Sequence, residues 1–87
     1  MFHYVYVLQS KKDGQWYTGF TTDLRKRFYY HNKSRKGHTK GRGPYELIYY
    51  EAYKNKEDAM DRELQIKSGP GKAYLRRRMK RFLALSG

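Results

Sequence analysis

The chain contains no cysteine, two prolines, one tryptophan and only eight acidic residues among its 87. Without cysteine there is no disulfide framework and no thiolate metal site, and nothing marks an oxidising compartment. No apolar run approaches the ~20 residues that a membrane-spanning helix requires, and no secretory leader is visible. A soluble, cytoplasmic protein is therefore expected. The histidines, His3, His31 and His38, lack the spacing of a zinc site as well as a cysteine partner. The shortage of acid is the most informative of these absences. Twenty Lys and Arg leave a formal charge of +12, and self-repulsion of that size is costly to a small fold. A polyanionic partner accounts for it, nucleic acid first and an acidic membrane surface second. A merely solubilising charge is the plainer reading. A membrane-surface protein would want a helix with a broad apolar face, and the last helix of this chain has a narrow one.

What is abundant is tyrosine, ten of the fifteen aromatic residues. These rings interleave with the cations, which suits stacking on bases and contacts to phosphate oxygens. The length allows one domain, residues 1–87, with no room for a second core. His3 to Ser10 alternates as a strand, with Tyr4, Tyr6 and Leu8 on one face and His3, Val5 and Val7 on the other. Asp13-Gly14 turns the chain into a second strand, Gln15 to Phe20. Gly19 interrupts that strand, as glycine does where backbone must turn or come close to another group. A helix follows, with Thr22 as its N-cap and Asp23 in its first turn. Asn32 to Pro44 holds three glycines, one proline and five basic residues, and reads as a mobile loop. Tyr45 to Tyr53 is a third strand. Asn55 caps a helix that runs to about Ser68, with Ala59, Glu63 and Ile66 on its inner face and Asp61 opposite. Pro70 opens the last helix, whose apolar stripe is Leu75, Met79, Phe82 and Leu83. The pattern predicts an α+β fold, a three-stranded, mainly antiparallel sheet flanked by three helices.

Candidate chemistry concentrates in Trp16 to His31 and at Glu63. Leu24, Arg27, Phe28 and His31 fall at i, i+3, i+4 and i+7 and share one helix face. Arg27 and His31 are then either rim residues with packed stems and wet ends, or a cationic, proton-capable pair beside the strand that carries Tyr17. Glu63, on a packed face, must be paired, protonated or bound to a metal. A salt bridge with Arg62, Lys67 or Arg27 would satisfy it. The alternative is a hard cation such as Mg²⁺, which binds through one or two carboxylates while keeping waters and phosphate oxygens. Tyrosine ionises near pH 10, so a tyrosine acting as base needs strong local positive charge.

Taken in order, Tyr4-Val5-Tyr6, Tyr17-Thr18-Gly19, Arg27, His31 and Glu63 resemble the GIY-YIG nucleases, in particular their small stand-alone bacterial members. The likeness covers residues 3 to about 80. It implies hydrolysis of DNA phosphodiesters with one divalent metal, Mg²⁺ or Mn²⁺. By that resemblance Tyr6 is the base or relay that activates water, and Tyr17 helps to hold the water and the phosphate. Arg27 stabilises charge on the phosphoryl oxygens, His31 orients the tyrosine or the phosphate, and Glu63 binds the metal. Three positions depart from the pattern. Tyr4 replaces the first glycine, Phe20 stands where some members carry a lysine near the water, and Leu75 where some place a supporting asparagine. The expected function is thus a metal-dependent DNA endonuclease, and the opposing reading is a catalytically silent nucleic-acid-binding module on the same fold. Phosphate contacts are expected from Lys33, Arg35, Lys36, Lys40 and Arg42 of the loop, and from Lys67, Lys72, Arg76, Arg77 and Lys80 further on.

Overall fold

Strand β1 (His3–Ser10) is the middle of the sheet, and its sequence explains why. Val5, Tyr6, Val7 and Leu8 are all buried, so both faces of this strand are covered, as only a central strand with layers on either side can be. The computed structural model describes residues 1–33 and 44–86. It contains β1, β2 (Trp16–Thr21), α1 (Leu24–Lys33), β3 (Tyr45–Tyr53), α2 (Lys56–Lys67), α3 (Gly69–Arg78) and α4 (Lys80–Ser86). The sheet is antiparallel with the order β2-β1-β3. Among the described residues no helix is long and apolar enough to cross a membrane.

The alternation within β1 separates two apolar clusters. Val5 and Val7 pack with Ala59 and Ile66 of α2 and Leu75 of α3. Tyr6 and Leu8 pack on the opposite face with Tyr45, against Tyr17, Leu47 and the Leu24 and Phe28 side chains of α1. Burying each large aliphatic side chain contributes about 1.5–3 kcal/mol. The β1–β2 connection turns at Gly14, whose φ of 75° is left-handed and suits glycine. Ser10 Oγ accepts the Lys12 and Asp13 amides and so holds that turn. The β1–β3 register slips between Val7 and Leu8, where Val7 faces Tyr49 but Leu8 faces Leu47. The bulge keeps Leu47 and Tyr50 on the α1 side of the sheet.

Three expectations change. The helix cap at α1 is Asp23 rather than Thr22: Asp23 Oδ1 accepts the Lys26 amide at 3.1 Å, while Thr21 Oγ1 accepts the amide of Asp23. An Asx side chain two residues past the strand reaches the free first-turn donors better than Thr22 does. Asn32 and Lys33, expected in the loop, lie in α1. Residues 34–43 of that loop lie outside the described residues. The third expected helix is divided at Met79 (φ −107°, ψ 25°) into α3 and α4. The Met79 and Leu83 amides still bond the Leu75 and Met79 carbonyls, so the ladder runs through the bend. Met79 itself packs against the Val5–Ile66 core. At α2 the expectations hold: Asn55 Oδ1 accepts the Glu57 and Asp58 amides at 2.8 and 3.0 Å. Ser68 ends α2 and caps α3, with Pro70 in the first turn.

Candidate active site

Tyr6 faces Gly19 across the β1–β2 ladder. Its ring lies over that glycine, and a methyl group built on Gly19 would overlap Oη and Cζ of the phenol. The glycine therefore serves close approach rather than a turn, since β2 runs straight through it. Tyr6 is only 2% exposed, and its hydroxyl is hydrogen-bonded to Nε2 of His31 at 2.8 Å. His31, on the last turn of α1, is 6% exposed. Its ring meets Tyr17 edge-on, with centroids 4.7 Å apart, and lies 6.5 Å from the ring of Tyr45. Tyr17 and Gly19 share the Tyr6 face because both pair with residues of that face, Leu8 and Tyr6.

Burial dominates the titration of this pair. It pushes the Tyr6 phenol well above its ordinary 10, helped by Tyr17 and by the Glu63 carboxylate, while the Arg27 guanidinium pulls the other way. Burial, followed by the Arg27 charge, holds the His31 imidazole below its ordinary 6.5. At neutral pH the resting pair is a protonated phenol and a neutral imidazole. The two readings of the α1 face thus divide between its residues. Arg27 is an exposed rim residue, whereas His31 is buried among aromatic rings. Glu63 comes from α2, beyond the other face of the sheet, yet its charge acts on the Tyr6 hydroxyl. Its side chain is about 20% exposed, and its carboxylate pairs with Lys67 at 3.1 Å. Arg62, another partner expected for it, is bound instead to Glu51 at 3.0 Å.

Tyr6, Tyr17, Gly19 and His31 thus meet on one face of the sheet, and the charges of Arg27 and Glu63 act on the Tyr6 hydroxyl. The sequence profile of the GIY-YIG catalytic domain matches residues 2–74. The chain belongs to the GIY-YIG family. It is 43% identical over 89 residues to a UPF0213 protein of Halalkalibacterium halodurans, covering 100% of this chain and 87% of the other. A UPF0213 protein of Clostridium perfringens is 46% identical over 66 residues, 75% of this chain and 70% of that one. The solution NMR structure of a UPF0213 protein from Bacillus halodurans matches at 40% identity with a TM-score of 0.50, covering 100% of this chain and 87% of that one. The names of these relatives assign no activity.

The two departures from the GIY-YIG pattern at Phe20 and Leu75 become clear from their positions. Phe20 turns away from Tyr17 to the α2 side, where it packs against the core and stacks on His3 with centroids 5.9 Å apart. Leu75 is fully buried in the same core. In this chain both positions serve packing. Of the expected phosphate contacts, Lys72, Arg76, Arg77 and Lys80 are exposed on α3 and α4, with the Arg76 guanidinium 4.8 Å above the Trp16 ring. Lys67 lies on α2 beside Glu63. The Lys33 side chain and all of Arg35, Lys36, Lys40 and Arg42 fall outside the described residues.

Two supports are not evident in the sequence. Asn32 donates to the Tyr45 carbonyl at 3.3 Å and accepts the Tyr45 amide at 2.6 Å. This clamps the turn that carries His31 to the first residue of β3. On the far face Arg62 and the hydroxyls of Tyr49 and Tyr53 converge on Glu51. Burial alone would raise the Glu51 carboxyl, but those hydrogen bonds and the guanidinium charge bring it below its ordinary 4.5. The same contacts tie β3 to α2, the helix that carries Glu63. Only the Asx amide of Asn32 offered a local signal, and that signal is common to any turn.

Proposed function

We propose that this chain is a divalent-metal-dependent endonuclease domain, spanning residues 1–87, that hydrolyses phosphodiester bonds in DNA. The observation that carries the reading is the Tyr6–His31 hydrogen bond, buried and under the charge of Arg27, with the Glu63 charge also acting on Tyr6. A phenol raised above its ordinary value is not a resting base, so Tyr6 acts as a relay. It accepts a proton from the attacking water on Oη as its own proton passes to Nε2 of His31. The water oxygen bonds to phosphorus, one P–O ester bond breaks, and the departing oxygen takes a proton from solvent. His31 suits this because it rests neutral, and the imidazolium it becomes is offset by the negative charge gathering on the phosphate. Arg27, exposed at the rim, is free to meet the phosphoryl oxygens with a planar two-donor face. Tyr17 borders the same imidazole and helps to place the water.

Glu63 fits a divalent ion. It is a partly buried carboxylate whose charge reaches the Tyr6 hydroxyl, and its one ion pair in the described residues is with a half-exposed lysine. A pair of that kind is worth about 0.3–0.5 kcal/mol and yields readily to a dication. Mg²⁺ or Mn²⁺ bound there would neutralise charge on the phosphoryl group, with water and substrate oxygens completing its shell. A cleavage screen over labelled linear, flap, forked and single-stranded DNA, with and without Mg²⁺, tests the reading. Mg²⁺-dependent cleavage that loses much of its rate in Tyr6→Phe is the expected result. Absence of cleavage on every substrate would refute it.

A further inference from the structure

A second feature lies on the Tyr6 face of the sheet, where α1 leaves part of it uncovered. Tyr4 and Tyr50 form a floor there with Leu47, and Leu24, Phe28 and Arg25 of α1 form one wall of a groove of about 460 Å³. The floor continues directly from the reaction centre, because Tyr4 is two residues before Tyr6 and Tyr50 is its partner across β1–β3. Phe2, Tyr4 and Tyr50 run in a row, with neighbouring centroids 6.4 and 6.0 Å apart. Phe2 and Tyr50 are 42% and 54% exposed. Burial in a core does not explain rings that are this open, and a fold of this size gains little by displaying them. The row is bordered by cations: Lys54 Nζ lies 4.5 Å from the Phe2 centroid, and Arg25 lies on the wall. The one carboxylate in the lining, Asp23, is turned toward the Lys26 amide as the cap of α1.

Aromatic faces set between cations, open to solvent and contiguous with a phosphodiester site, match one ligand chemistry: nucleobases freed from pairing, with their phosphates held alongside. We infer that the Tyr4–Tyr50 groove is a base-stacking subsite that takes one or more unpaired nucleobases next to the scissile phosphate. Substrates with an unpaired segment beside the cut are then favoured over continuous duplex. The inference rests on the nuclease reading for its choice of ligand. The groove itself is separate from Tyr6, Tyr17, Arg27, His31 and Glu63.

The test measures binding without hydrolysis, on the Glu63→Gln protein in the absence of divalent ions. The probes are three fluorescently labelled ligands with equal numbers of phosphates: an oligothymidylate strand, an abasic strand and a blunt duplex. Oligothymidylate is expected to bind more tightly than both others at one salt concentration. Tyr50→Ala should lower its affinity roughly five- to a hundredfold and erase the preference over the abasic strand. Tyr50→Phe, which keeps the ring, should retain it. Tyr50 is more than half exposed, so a correct fold is expected, and melting of the variant confirms it. Equal binding of all three ligands, or a preference that survives Tyr50→Ala, would overturn the groove while leaving the nuclease reading standing. Failure to bind any of the three would overturn both.

Discussion

Gly19→Ala is the perturbation that bears most directly on the geometry of the site. A methyl group at that position overlaps Oη and Cζ of Tyr6 and stands 3.0 Å from Cε1. Restoring ordinary contact requires the end of the phenol ring to move by about 1 Å. The hydroxyl then leaves Nε2 of His31, which it now reaches at 2.8 Å in a buried setting. Overpacking costs about 1–3 kcal/mol, and a buried donor separated from its acceptor costs about 1–3 kcal/mol. Together these predict a loss of about 2–6 kcal/mol in urea unfolding. A displacement of this size at a reacting group lowers rate by roughly a hundredfold. Cleavage should be followed on one labelled substrate under single-turnover conditions, in wild type, Gly19→Ala, Tyr6→Phe and the double variant. If Gly19→Ala acts through the Tyr6 hydroxyl, it should slow the wild type strongly but add little once that hydroxyl is gone. Equal slowing in both backgrounds, or a wild-type rate in folded Gly19→Ala, would show that the glycine does not serve to place Tyr6.

Tyr6→Phe should keep the fold, because the ring still packs, and lose more cleavage rate than Tyr17→Phe; melting and turnover on the same preparations check both. Glu63→Gln should change stability by less than about 1 kcal/mol, since its partner Lys67 is half exposed. It should also abolish Mg²⁺-dependent cleavage and leave DNA binding intact; cleavage in the folded variant would remove Glu63 as the metal ligand. The rate of the wild type should hold through neutral pH and fall on the acid side below 6.5, because the His31 pKa lies below that value and only the neutral ring accepts the Tyr6 proton. A rate that shows no loss on the acid side would contradict the relay. Glu51→Gln should destabilise the fold by about 1–3 kcal/mol at neutral pH. The Glu51 pKa is lowered on folding, so its contribution is complete above the unfolded value near 4.5 and is lost as pH falls through the folded value. Melting temperatures of wild type and Glu51→Gln should therefore converge in acid.

Much of this protein could be read from local order in the chain. The two faces of β1 follow from a period of two, and the exact span of β3 from its density of aromatic and β-branched residues. The Asn55 cap and the inner face of α2 follow from helix geometry within a few residues. The family and its ordered residues were legible for the same reason, since spacing along a chain survives where contacts cannot be seen. Contacts between segments distant in sequence were decided only by tertiary packing. Helix periodicity shows Glu63 turned inward, but not that its charge acts on Tyr6, nor that Glu51 takes Arg62 away from it. The clamp of Asn32 on Tyr45 spans thirteen residues, and the bend at Met79 carries neither proline nor glycine to announce it. Even Gly19 was ambiguous between a turn and a close approach until the strand register set the Tyr6 ring across it. Pairing, stacking and proton affinity depend on distances between side chains, and only the folded sheet with its two helical layers sets those distances.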